Sequence, residues 1–267
     1  MTVYDRFVKK AVSDYLDHDR FSEVKDVVSD EIVARRESNP YEAGGVGTLA
    51  EKSVHAILKN YIEPDRDCHE VALDGFFADI CKDGHVTEIQ TAHLGKLRDK
   101  LAVFLNNYTV TVVYPMAVNK WISYIDGKKQ TAFRMSPVHM NEYYAFEELY
   151  GLKGLLQNPN LRIHLYMMDM EEYKIKVAKR RRKRGSGYER YDRVPLGIRE
   201  IIEFNCVNDY LRVVPPELEG EFTSADLAAA AGISRSFASL VLNVLNDIGV
   251  VKRVGKKGNS YVYVTAY

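Results

Sequence analysis

Three carboxylates, Glu70, Asp79 and Glu88, lie in three short runs joined by Asp74-Gly75 and Asp83-Gly84. Asp-Gly between alternating apolar and polar residues signals a two-residue hairpin turn. Such turns fix strand register. Asp79 is therefore expected opposite Glu88, and Glu70 opposite Asp79, in one row across a three-stranded meander over residues 68–91. Gln90 points from the same face, two residues beyond Glu88, and Phe77 and Val86 flank the row. Val71, Leu73, Phe76, Ala78, Ile80 and Ile89 fall on the other face as a core. Directly opposed residues bring Cβ atoms to ~4.5–5.5 Å, where like charges repel. A bridging cation or a raised carboxyl pKa relieves that repulsion. Oxygen-only ligands at this spacing suit Mg2+ or Mn2+. The competing reading is an open sheet face whose charges are solvated and screened by nearby Lys or Arg.

These residues need elements to hold them. Thr48 to Tyr61 reads as a helix, with Leu49, Val54, Ile57, Leu58 and Tyr61 on its apolar face. After the meander, Leu94 to Asn107 reads as a second helix, and Thr109 to Tyr114 as a buried strand ended by Pro115. Residues 121–134 and 161–170 add strands to the same core. Residues 4–36 read as one or two amphipathic helices, with Phe7, Val8, Ala11 and Tyr15 at helical spacing and Ser38-Asn39-Pro40 as the stop. Gly44-Gly45-Val46-Gly47 lacks the Gly-Lys-Ser/Thr of a phosphate loop and reads as a plain loop. Thr48-Leu49-Ala50-Glu51 is a capping box, so Glu51 has a structural role competing with any role in the site. His55 reads as structural. Lys96, Arg98 and Lys100 are a solvated helix face or a phosphate-neutralising one. No elbow or nucleophile–base pair points to a Ser or Cys enzyme.

The order helix, three strands, helix, strand, with these acidic positions, resembles the PD-(D/E)XK nuclease superfamily over about residues 44–115. The family signature is an acidic residue on the second strand and Glu/Asp-x-Lys on the third. Asp79 matches the first, and Glu88-Ile89-Gln90 matches the second with Gln in place of Lys. Glu51 matches the Glu that many members carry on the first core helix. The resemblance implies a restriction-endonuclease-like α/β core with a mixed sheet. It implies a catalytic set of Asp79, Glu88, Gln90 and Glu51. It also implies Mg2+ or Mn2+ held by Asp79, Glu88, the Ile89 carbonyl and Glu70. In the family the Lys positions or activates the attacking water. Gln neither carries charge nor takes a proton at neutral pH, and is left to orient water by hydrogen bonding.

The C-terminal 46 residues carry a second pattern. Thr223-Ser-Ala-Asp226 starts a helix that Gly232 ends, and Ser234 caps the next. Phe237, Leu240, Val241, Val244, Leu245 and Ile248 form a buried stripe, leaving Ser234, Arg235, Ser236, Ser239 and Asn243 outward. Val250–Val254 and Tyr261–Val264 follow as a hairpin around a basic tip from Gly255 to Ser260. This resembles the winged-helix superfamily, which implies duplex DNA contact by the helix start and by Lys252, Arg253, Lys256 and Lys257 on the wing. Winged helices also serve as protein-interaction modules. Residues 195–219 are expected to supply the preceding helices, with Pro215-Pro216 as a turn.

Equal numbers of basic and acidic residues, 37 each, leave the net charge at zero. Eight of the basic residues fall in eleven positions, Lys174 to Arg184. That run, including Arg181 and Arg182, reads as a solvated linker or a phosphate-tracking segment. The expected division is residues 1–185 as the nuclease-like domain and 186–267 as the winged-helix domain. Cys68, Cys81 and Cys206 are too scattered for a disulfide framework or a zinc site, which suits a reducing compartment. The N-terminus has no signal-peptide pattern, and no apolar run approaches the ~20 residues of a membrane span. The expectation is a cytoplasmic, metal-dependent DNA endonuclease acting on double-stranded DNA, where cutting both strands favours a homodimer. The alternative is a non-catalytic DNA-binding regulator with a degenerate nuclease-like domain.

Overall fold

The structure, a computed structural model, describes residues 15–38, 53–127, 129–177 and 187–266. Its largest element is a mixed sheet of seven strands, accompanied by helices. The strands are β1 (His69–Leu73), β2 (Phe76–Lys82), β3 (His85–Ile89), β4 (Thr109–Asp126), β5 (Lys129–Met135), β6 (Leu161–Lys176) and β7 (Tyr188–Phe204). Their order is β1-β2-β3-β4-β6-β7, with β5 paired to β4. Neighbours β2 and β3 are antiparallel, whereas β3 and β4 are parallel. The chain groups into two compact units. One comprises Met1–His69, Pro115–Met140 and Tyr166–Ile201; the other comprises Glu70–Tyr114, Asn141–Leu165 and Ile202–Tyr267.

In the first unit, α1 (His18–Ser38) and α2 (Ser53–Ile62) pack together. Phe21 and Val28, two turns apart, are buried on α1, and Phe21 meets Tyr61 edge-on at 5.3 Å. Within the described residues, the one or two helices expected over residues 4–36 include a helix from His18 to Ser38. Asp17, just before it, has φ +44°, a left-handed conformation, so Tyr15 stands outside this helix. Residues 1–14, and hence Phe7, Val8 and Ala11, lie outside the described residues. Tyr15 OH donates to Asp169 of β6 at 2.8 Å, and Ser53 Oγ donates to Asp192 of β7 at 2.6 Å.

Proline does not end β4 as expected; the strand runs through Pro115 to Asp126. Val113 and Pro115 face the same edge. The last bond from β3 on that edge is Gln90 N–H to the Val113 carbonyl, 3.0 Å. Beyond it β3 has ended, so the missing N–H of Pro115 leaves no ladder bond unmade there.

The second unit holds the meander. Both central residues of each turn have positive φ: Asp74 +48° and Gly75 +85°, Asp83 +51° and Gly84 +76°. These are type I′ turns, matched to the twist of paired strands. Ala78, Ile80 and Ile89 are buried as expected, with Val71, Leu73 and Phe76 half-buried beside them. The helix expected over residues 94–107 is a 3-10 turn, Leu94–Leu97, followed by α3 (Arg98–Phe104), with Leu94, Leu101 and Phe104 fully buried. A helical stretch containing α4 (Phe146–Leu149) adds Phe146, Leu149 and Leu152 to that core.

Tyr188–Phe204 is a strand where the sequence suggested helices over 195–219, and only a 3-10 turn, Val207–Val213, follows it. Burial here does not alternate: residues 195–198 are all buried and only residues 201–204 alternate, so the strand carries no clear period of two, and Pro195 and Gly197 further obscure it. The boundary expected at residues 185/186 falls between β6 and β7, which are neighbours in one sheet. Tyr210 stacks on Phe204 at 4.2 Å and 7°, closing this corner.

The C-terminal stretch is β8 (Phe222–Thr223), α5 (Ser224–Ala231), α6 (Arg235–Asp247), β9 (Val251–Lys257) and β10 (Ser260–Thr265), with sheet order β8-β10-β9. The two helices are set at 110°. Thr223 Oγ1 accepts from Ala225 N–H, and the Asp226 carboxylate accepts from Thr223 N–H at 2.7 Å. Gly232 ends α5 at φ +64°, and Ser234 Oγ accepts from Phe237 N–H. The buried stripe of α6 is Ala238, Val241, Leu242, Val244 and Leu245, with Ile248 at its end. Phe237 and Leu240 are half-buried instead; Phe237 meets Tyr144, in the 3-10 turn just before α4, at 5.2 Å. The hairpin is tighter than expected: Gly258-Asn259 is the whole turn, which places Lys256 and Lys257 on β9.

Thr223→Ala removes both the cap oxygen and the hydroxyl that anchors Asp226. It is expected to destabilise the protein by about 1 kcal/mol, read as a lower urea midpoint, while Thr223→Ser stays close to wild type.

Candidate active site at the Asp79 and Glu88 carboxylates

The β2–β3 ladder pairs Lys82 with His85, Cys81 with Val86 and Ile80 with Thr87. One step further, Asp79 faces Glu88, as the turn predicts. Here carboxylates take over from carbonyls as acceptors. Asp79 N–H donates to Glu88 Oε1 at 3.4 Å, and Ile89 N–H donates to Asp79 Oδ2 at 2.7 Å. The strands therefore part where the two acids meet. Gln90 N–H is turned to β4, so the N–H and carbonyl of Ile89 face the opposite edge, toward Asp79.

Glu88 is 2% exposed, because β3 is covered on both faces, and Asp79 is half-buried. Lys100 Nζ on α3 lies 2.5 Å from Glu88 Oε2. Burial and the Asp79 charge push the Glu88 carboxyl from 4.5 up to about 7, and Lys100 pulls against both. The site thus holds two acids and one ammonium, with one proton exchangeable near neutral pH.

The third acid expected in the row is not part of it. Glu70 has φ +51° and is exposed. A left-handed residue breaks the strict alternation on which the predicted row depended. Among the described residues, no three His, Cys, Asp or Glu side chains group as a metal site. Glu51 lies outside the described residues. Gln90 Nε2 donates to the Ala92 carbonyl at 2.5 Å, so its amide is held by its own chain. Arg98 donates to the Gly151 carbonyl at 2.8 Å, and Lys96 lines a shallow pocket with His93, Glu147 and Glu148. The pairing of Lys100 with Glu88 could not be read from sequence, where Lys96, Arg98 and Lys100 are equivalent.

Of the C-terminal candidates, Ser234, Arg235, Ser236 and Ser239 on and before α6 are exposed, as are Lys252, Arg253, Lys256 and Lys257 on β9. Arg235 bonds Ser260 Oγ, tying the start of α6 to the hairpin. Arg253 lies 3.6 Å over the Tyr261 ring. The Ser239 hydroxyl is turned back to the Arg235 carbonyl at 3.0 Å. Asn243 is not outward: it is half-buried, and its Oδ1 is enclosed without a donor. Its neighbours Leu242 and Val244 are buried on either side, so position 243 lies at the edge of the buried stripe. Arg181 and Arg182 lie outside the described residues.

The family described as Domain of unknown function (DUF8091) matches residues 52–205, more than half of the chain. A protein of Treponema pallidum (strain Nichols) named "Uncharacterized protein" is 28% identical over 225 residues, covering 82% of this chain and 86% of its own length. No solved structure matches the chain. No single helix among the described residues is long and apolar enough to cross a membrane.

The raised Glu88 pKa has a defined sign. The folded state keeps the proton between the ordinary value, 4.5, and about 7. The associated stability is present below the first and is lost as pH rises through the second. One pKa unit corresponds to ~1.4 kcal/mol, so the loss is at most on the order of 3 kcal/mol. Glu88→Gln mimics the neutral carboxyl and is expected to remove this part of the decline. Urea midpoints at pH 5 and pH 8 for both proteins check it; an equal decline in the two would refute the assignment.

Proposed function

We propose that this chain, which belongs to the DUF8091 family, is a divalent-cation-dependent nuclease that hydrolyses phosphodiester bonds in double-stranded DNA. In this reading residues 69–114 are a restriction-endonuclease-like core of the PD-(D/E)XK type, and residues 222–265 are a winged helix. The observation that carries it is the meeting of Asp79 and Glu88 where β2 and β3 part, with Glu88 poised near neutral pH and Lys100 against it.

The donor set fits Mg2+ or Mn2+. Mg2+ is commonly held by one or two carboxylates, with water and substrate phosphate completing its shell. Asp79, Glu88 and the Ile89 carbonyl are the residues that would hold it. When bound, such an ion supplies charge neutralisation at the phosphate and a lowered water pKa. The chain's own residues do the rest. Glu88 gives up its proton as positive charge approaches. Lys100 stays on Glu88 Oε2 and supplies the ammonium that position 90 lacks. Gln90 provides hydrogen bonding without proton transfer. Arg235 and Ser236 at the start of α6, with Lys252, Arg253, Lys256 and Lys257 on the hairpin, contact the duplex; phosphate contacts position it and the helix start reads it. A single site per chain cuts both strands only with a second copy.

The second reading, a DNA-binding regulator without catalysis, is favoured by the amide of Gln90 being tied to Ala92. Incubation of plasmid and linear duplex with Mg2+, with Mn2+ and with chelator separates the two. The nuclease reading expects cation-dependent cleavage that Asp79→Asn abolishes. Intact DNA in every lane, with gel retardation retained, supports the regulator instead. Lys100→Ala is expected to lower the cleavage rate about 10²-fold. It should also shift the acid limb of the pH–rate profile upward, since Lys100 lowers the Glu88 pKa. A rate loss with an unmoved limb would assign Lys100 to folding alone.

A further inference from the structure

Within the first unit, β4, β5 and β6 present two chemically different faces. On the side bonded to the N-terminal segment, acids are saturated. Asp169, fully buried, accepts from Tyr15 OH at 2.8 Å, from Asn119 at 2.9 Å and twice from Arg199 at 2.7 Å. Glu171 accepts from Ser123. The alternate residues of the same strands carry an excess of bases. Glu172, 5% exposed, has Arg193 Nε at 3.2 Å, Lys174 Nζ at 3.4 Å and Lys120 Nζ at 3.8 Å. Three cations thus converge on one carboxylate.

More positive charge lies beside them. Tyr124 has the Arg134 guanidinium 5.9 Å from its ring on one side and Lys174 Nζ at 5.9 Å on the other. Arg134 Nη2 also donates to Tyr124 OH at 3.2 Å. Further along β6, Lys176 pairs with Asp126 at 2.5 Å. Among the described residues, these contacts join five bases, Lys120, Arg134, Lys174, Lys176 and Arg193, to two acids, Glu172 and Asp126. The Lys120, Lys174 and Arg193 side chains remain 24%, 28% and 31% exposed, so their charged ends reach solvent.

Glu172 does more than offset one charge. Burial raises the pKa of its carboxyl, but Lys120, Arg193 and Lys174 together hold it below the ordinary value, so it stays charged. As a fixed anion it orients three flexible side chains before any ligand arrives, which lowers the entropy lost on binding. Three cationic charges against the one Glu172 anion leave an excess of two at this carboxylate. Lys176 leads in sequence, within three residues, to the six consecutive bases Lys179–Arg184. An extended polyanion suits this distribution better than a single phosphate does.

We infer that the face formed by Lys120, Arg134, Lys174 and Arg193 around Glu172 is a second nucleic-acid contact, gripping the phosphodiester backbone of a duplex apart from the C-terminal hairpin. The choice of duplex DNA rests on the function proposed above, although the contact needs no cleavage. Its contacts are to phosphate, so they add affinity and salt dependence without sequence preference.

The test measures binding of the full chain to a fluorescent 20-base-pair duplex with chelator present, across a salt series. Arg134→Ala with Lys174→Ala leaves Lys120 and Arg193 to pair Glu172. It is expected to weaken binding about tenfold and to reduce the slope of log K against log salt by about 2. Arg134→Lys with Lys174→Arg is expected to keep both near wild type. Arg134→Gln alone, at an exposed site, is expected to reduce the slope by about 1 and covers misfolding of the double variant. Unchanged slope and affinity in the alanine variant overturn the inference. If Lys256→Ala with Lys257→Ala weakens binding in that same series, the proposed duplex binding survives while this face is excluded. A poly-glutamate of matched charge that depends equally on Arg134 and Lys174 would reassign the face to acidic protein. Absence of any duplex binding by wild type overturns both readings.

Discussion

A carboxylate withdrawn from water must be given donors or give up its charge. That constraint organises the polar interior of both units. In the first, Asp169 receives four hydrogen bonds, Asp192 takes the Ser53 hydroxyl and its own strand's Arg193 N–H, and Glu172 collects three cations. In the second, Glu88 receives far less: one ammonium and one long bond from Asp79 N–H, with the Asp79 charge opposing it. The same rule that makes the first group structural leaves Glu88 as a carboxyl that changes state near neutral pH. A carboxyl perturbed by burial beside a like charge is the kind of group that acid–base chemistry uses, although structural ion pairs shift pKa values as well.

Backbone geometry explains how the two acids come together. Type I′ turns hold β2 and β3 in register as far as Ile80 and Thr87. Parallel pairing with β4 draws β3 away from β2 just beyond, with Gln90 N–H committed to Val113. The gap exposes the inner edge of Ile89, and Asp79 fills it as an acceptor. A helix then brings Lys100 across to Glu88. Positive charge reaches these acids from α3, where Lys100 lies ten residues beyond Gln90.

Residues 52–205, matched by the family, contain Asp79, Glu88, Lys100 and Glu172 and end before β8. The C-terminal elements stand on their own local signals: a capping box at Thr223, a left-handed Gly232 and a Ser234 cap. Charge is distributed unevenly despite a net of zero. Bases gather on β9 and on one face of β4–β6, whereas many acids are buried and hydrogen-bonded. Net charge is therefore a poor guide to what such a chain attracts; surface distribution decides it.

Sequence alone determined what depends on neighbours along the chain. Asp-Gly turns specify the meander and the Asp79–Glu88 register, since a two-residue loop admits few geometries. Capping residues and apolar spacing specify α5 and α6. Signals of this kind failed where distant partners intervene. Pro115 could stay in a strand because β3 stops beside it, and Tyr188–Phe204 became a strand because a sheet edge was there to receive it. Glu70 left the row through one left-handed residue, and Asn243 turned inward at the edge of a buried stripe. Only tertiary structure could select Lys100 from three similar bases, and set three cations on Glu172. Those pairings join residues from separate elements, and the energy that decides them, desolvation against charge, exists only once the chain has folded around them.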